Sequence, residues 1–92
     1  MSRNNLLRFF EKRGIDIRHL PVEVLIRARK VILRLERGES YLTFHGKRLR
    51  RNRKHISIPL GLRWHLLADD LDGRVLVRRI MSYEIPFRGL DL

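Results

Sequence analysis

An α+β fold is predicted for this chain, with two N-terminal helices packed on one face of an antiparallel sheet of three or four strands. Three observations lead there. Apolar residues recur at helical spacing as far as Leu35 and stop at Gly38, later ones alternate in short runs, and turn signals such as Asp72-Gly73 separate those runs. Helices first and turn-linked strands afterwards are the order of a segregated α+β architecture. The 92 residues suit one domain, 1–92, around one core.

The first helix is expected over residues 4–13, where Leu6, Leu7, Phe9 and Phe10 make one side apolar, Asn4 and Asn5 can cap its start, and Gly14 follows its end. GIDIRHL is a connector. The principal helix should span 21–37: Pro21 suits a first helical position, Glu23 meets the helix dipole, and Val22, Leu25, Ala28, Ile32 and Leu35 share a face. Tyr41 to His45 read as a short strand or extended lead-in, and residues 45–54 as a basic loop. HISIPLG and LRWHLL then alternate, with Ile56, Ile58, Leu62, Trp64 and Leu66 directed inward and a turn at Pro59 to Gly61. Asp72-Gly73 turns the chain into a last run, Arg74 to Met81, and the tail SYEIPFRGLDL fits no element. Pleating should gather His55, Ser57, Arg63 and His65 on a wet opposite face.

Charge is the strongest functional signal. There are 21 Lys and Arg against 10 Asp and Glu, for a net +11, and arginine outnumbers lysine 17 to 4. Such an excess repels itself in a compact state, and a bound polyanion relieves it. Arginine's planar fork grips phosphate bidentately and stacks on bases, which favours phosphate recognition over mere solubility. Codon bias accounts for part of the arginine preference but not for the net charge. Cysteine is absent, so disulfides and thiolate chemistry are excluded, which suits a reducing cytoplasm. No apolar run approaches the length of a membrane span, and the first residues lack a secretory apolar segment.

The densest basic run, residues 47–54, places Lys47, Arg48, Arg50, Arg51, Arg53 and Lys54 within eight positions. It can track several phosphates, dock an acidic protein, or remain a solvated loop. His55, His65 and Arg63 supply groups that move protons near neutral pH and stabilise charge on a phosphorane-like transition state, although the spacing alone favours surface histidines without chemistry. Trp64 reads as core. Tyr83 is a candidate for stacking on a base or for packing at the sheet rim. Asp69, Asp70 and Asp72 read as turn residues, not metal ligands, and His19 has no evident partner.

The segment GKRLRRNRKHISIPLGLRWHLL, residues 46–67, followed by MSYE at 81–84, resembles the RelE/ParE superfamily of type II toxin-antitoxin toxins. That resemblance implies a toxin that either cleaves mRNA on the ribosome, without metal or other cofactor, or poisons DNA gyrase, and that is neutralised by an acidic antitoxin. It maps the family's strand arginine onto Arg63 and its basic loop onto Lys47, Arg48, Arg50, Arg51 and Arg53. Strand lysines of several ribonuclease members fall near His55 and Ser57. A C-terminal histidine of the family is Tyr83 here, with Ser82 and Glu84 retained. The expected function is therefore a RelE-like endoribonuclease using the RNA 2′-hydroxyl as nucleophile. Arg63 would stabilise charge, His55 or His65 would move the proton, and Tyr83 would stack. A ParE-like gyrase inhibitor and a non-catalytic RNA or DNA binder are the alternatives.

Overall fold

The computed structural model describes residues 2–18 and 20–83. Helix α1 (Arg3–Glu11) starts one residue earlier than expected. Ser2 is the cap: its Oγ accepts the N–H of Asn5 at 3.2 Å, so the asparagines lie in the first turn. Helix α2 (Val22–Glu36) ends in a Schellman motif, in which Gly38 at φ 97° donates to Leu35 and Glu39 donates back to Arg34. A bidentate pair between Arg13 and Glu36, at 2.8 and 2.9 Å, ties the end of α1 to the end of α2.

Tyr41–Phe44 are a 3-10 helix and not the extended lead-in expected from their sequence. Ser40 caps it by accepting the Leu42 N–H at 3.1 Å, and His45 closes it in the left-handed region at φ 62°. Gly46 then passes so close to the Tyr41 carbonyl that an added Cβ would meet that oxygen at 2.8 Å. An extended segment could not make that approach.

Strands β1 (Lys47–Arg48), β2 (His55–Pro59), β3 (Trp64–Leu71) and β4 (Arg74–Ser82) form an antiparallel sheet in the order β1-β2-β3-β4. Positive φ at Asp72 (55°) and Gly73 (92°) is the signature of a type I′ turn, and Leu71 pairs with Arg74 across it. Asp69 and Asp70 belong to β3 instead of the turn. Ile56, Ile58, Leu66, Ala68 and Ile80 lie on one face by register and join Leu6, Phe10, Leu25, Ala28 and Ile32 of the helices in one buried cluster. Trp64 packs at its margin. Leu62 does not enter: it stands fully exposed in the β2–β3 connection, where Gly61 at φ 110° turns the chain against the Arg27 guanidinium. A bulge in the β3–β4 pairing, at Leu67/Ala68, lets Arg78 fall between the partnered residues Val77 and Arg79.

The second sheet face is not uniformly wet, contrary to the sequence expectation. Ser57 and His65 are buried within it. No described helix is long and apolar enough to cross a membrane.

Candidate nucleic-acid interface

His55, Ser57 and His65 share the face that carries the odd-numbered residues of β2 and β3, and the side chains that the sequence marks out fall into two groups, one around His65 and one around the β1–β2 loop. Arg63, just before β3, lies six residues from Asp69, the cross-strand partner of His55, which amounts to about 20 Å at the rise of an extended strand. His55 and Arg63 therefore cannot act on the same phosphate.

One group is closed. Ser57 Oγ and His65 Nδ1 share a hydrogen bond of 2.9 Å across β2 and β3. The Tyr83 ring stacks on the His65 imidazole, with centroids 4.5 Å apart and planes 15° from parallel. Arg63 stands next to this stack, exposed, with its carbonyl accepting the Tyr83 N–H at 2.8 Å. Burial pushes the His65 pKa down to about 4, because a charged imidazolium would lose its hydration there. At neutral pH this histidine is an uncharged packing and hydrogen-bonding group. Tyr83, still exposed on its outer side, packs at the rim of the sheet against a ring of its own protein, the second of the two readings its sequence position allowed.

The other group is open and basic. The chain from β1 to β2 is fixed by its own backbone: Leu49 donates to the His55 carbonyl at 2.9 Å, His55 donates back to Asn52 at 3.0 Å, and Asp70 donates to Lys54 at 2.7 Å. Leu49 is buried and anchors the loop, while Lys47, Arg50, Arg51, Arg53 and Lys54 are exposed. Arg48 differs from its neighbours. Its guanidinium reaches Tyr41 Oη at 3.0 Å, the Arg53 carbonyl at 2.6 Å and Asp70 Oδ2 at 2.6 Å. Hydrogen bonds from Arg48 and from the Gly73 N–H hold the Asp70 carboxyl below the usual carboxylate range. The fork of Arg48 thus braces the loop from within.

His55 sits at the base of this loop, and two residues that the sequence did not mark complete its surroundings. Its Nδ1 lies 2.7 Å from Asp69 Oδ1, and Arg78 Nε donates to Asp69 Oδ2 at 2.9 Å. Burial works to raise the Asp69 pKa, but the hydrogen bonds from Arg78 and His55 outweigh it and hold the carboxylate charged. Asn52 Nδ2 is 3.3 Å from His55 Nε2. Register alone could have suggested Asp69 once β2 and β3 were paired. Arg78 could not have been found that way, because the bulge that aims it leaves no mark in the alternation. His19 and Glu84 lie outside the described residues, as does the tail beyond Tyr83.

A family model described as the ParE-like toxin domain matches residues 22–84, from the start of α2 through both groups. No curated protein and no solved structure matches the chain.

Proposed function

The chain belongs to the ParE-like toxin domain family, and from that premise we propose that this toxin of a toxin-antitoxin system acts on RNA as a metal-independent endoribonuclease of the RelE kind. A toxin domain of this class implies an antitoxin partner, and the net charge of +11 favours an acidic one. The observation that carries the RNA reading is the open end of the sheet. Five exposed cations surround a half-exposed histidine that is backed by a carboxylate, which brings phosphate binding and proton transfer together within one loop. Arg63, about 20 Å away, extends the phosphate track past the site of chemistry. Lys47, Arg50, Arg51, Arg53 and Lys54 bind the strand, and Arg48 keeps their loop in shape.

A second reading, inhibition of DNA gyrase, draws on the family's ParE-like description and on the closed group. His65, uncharged and buried, offers no proton transfer there, so that end supports contact better than chemistry.

Induction in cells followed by mapping of mRNA 5′ ends, with a parallel supercoiling assay on purified gyrase, separates the two. New 5′ ends with normal supercoiling are the expected result. Toxicity with inhibited supercoiling and no new ends would instead place the protein with the gyrase inhibitors. If five phosphates are neutralised on single-stranded RNA, log K should fall against log salt with a slope of about −3.5, and a flat response would remove the RNA reading.

A further inference from the structure

We propose that His55 is the general base of the cleavage reaction and that Asp69 and Arg78 are the residues that position it. This rests on the endoribonuclease reading given above. Asn52 lies beside His55 at the end of the basic loop. Its Oδ1 accepts the Lys54 N–H at 3.0 Å, which fixes the orientation of the amide and turns Nδ2 towards His55. An amide NH₂ only donates, so His55 Nε2 receives that contact on a lone pair. Nδ1 then carries the proton and donates it to Asp69 at 2.7 Å. Arg78, placed by the β-bulge, holds the second carboxylate oxygen at 2.9 Å and prevents Asp69 from turning away.

The hydrogen bonds run from Asn52 into His55, and from His55 and Arg78 into Asp69. The outcome is a basic lone pair on Nε2 at the foot of the cationic loop. The long 3.3 Å contact from Asn52 is the weakest of the set and the one a substrate hydroxyl can replace. His65 offers no such site, since its Nδ1 is engaged with Ser57 and its ring lies against Tyr83.

In the step this geometry supports, the ribose 2′-oxygen attacks the adjacent phosphorus while its proton passes to His55 Nε2. The bond from phosphorus to the 5′-oxygen breaks, and that oxygen takes a proton from water. His55 returns its own to solvent, so atoms and charge balance. The products are a 2′,3′-cyclic phosphate and a 5′-hydroxyl. Arg53 and Lys54, the exposed cations just before His55, supply positive charge to offset the charge that develops on the phosphoryl oxygens.

The test is single-turnover cleavage of a short single-stranded RNA, free and on purified ribosomes, with binding followed separately by fluorescence anisotropy. His55→Gly should lower the bound-state rate by about 10² to 10⁴ while affinity is kept, and added imidazole should restore part of it. Asp69→Asn should lower the rate at least about tenfold with little change in KM, since it frees the imidazole to adopt the wrong tautomer. Arg78→Lys should keep more of the rate than Arg78→Ala. A His55→Gly variant that cleaves as fast as the parent overturns the proposal and leaves the ribonuclease reading standing. A loss that imidazole does not rescue, with a lowered melting temperature, makes His55 structural and also overturns it. If the unaltered toxin cleaves neither RNA form, the ribonuclease reading falls and takes this proposal with it.

Discussion

His65 and His55 occupy the same face of the same sheet, yet His65 is buried against Ser57 and Tyr83 while His55 stands half-exposed between Asp69 and a cationic loop. Pleating determines which face a residue takes, and it did so equally for both. Their chemistry was decided by what neighbouring strands bring beside them: Ser57 and Tyr83 at positions diagonal to His65, and Asp69 directly opposite His55. A hydroxyl and an aromatic ring leave an uncharged imidazole with its pKa near 4. A carboxylate held by an arginine leaves an oriented imidazole open to the outside. Residue type and spacing could not have separated these outcomes.

The largest effect of a substitution is expected at the closed end. His65→Ala removes a buried ring, takes away the partner of Ser57 Oγ and uncovers Tyr83, and should cost about 2–4 kcal/mol by chemical denaturation. The parent protein should also lose stability as pH falls from about 6.5 towards 4. The unfolded chain protonates His65 at its ordinary pKa while the folded chain resists until about 4, so unfolding in that window takes up one additional proton. His65→Gln should flatten that part of the curve. A stability profile unchanged by the substitution would mean that His65 is as open as His55.

Arg48 and Arg51 sharpen the contrast within the basic run. Arg48→Ala withdraws three internal hydrogen bonds and leaves Asp70 with the Gly73 N–H, so a clear drop in the denaturation midpoint is expected. Arg51→Ala should change stability by less than about 0.5 kcal/mol while lowering the salt slope of RNA binding by about 0.7. Equal behaviour of the two would show that the loop has no internal brace.

The smallest expected effect is at Arg63. Placed about 20 Å from the proton-transfer group, it should influence binding alone, and Arg63→Ala should leave single-turnover cleavage within about threefold of the parent. A hundredfold loss in that rate with affinity intact would move the reacting phosphate to the Arg63 end and reverse the assignment of the two groups.

Much of the architecture was legible because local signals agreed with it. The spacing of Leu25, Ala28 and Ile32 announced α2, and Asp72-Gly73 announced the last hairpin with the correct turn type. The misreadings share one cause. Tyr41–Phe44 alternate like a strand but are held helical by the Ser40 cap and the close passage of Gly46, and Leu62 continues an apolar pattern inside a loop that Gly61 turns outward. In both places backbone geometry at one or two residues overrode the side-chain pattern. The site was legible as an inventory of cations and histidines, and its division into two groups was not, because that depends on register.

The bulge at Arg78 also sets the phase of β4. In the first half of β4 the odd-numbered residues, Val75 and Val77, are the less exposed ones. In the second half it is the even-numbered ones, Ile80 and Ser82. The strand is two half-strands out of phase by one residue, joined where Arg78 interrupts the count. Deleting that residue would act like a reading-frame error written in three dimensions: to close the gap, one half of β4 must turn over, exposing either its valines or Ile80. Exchanging the side chain at position 78 would alter the support of Asp69 but not the register, whereas the position itself is fixed by the phase of the strand around it.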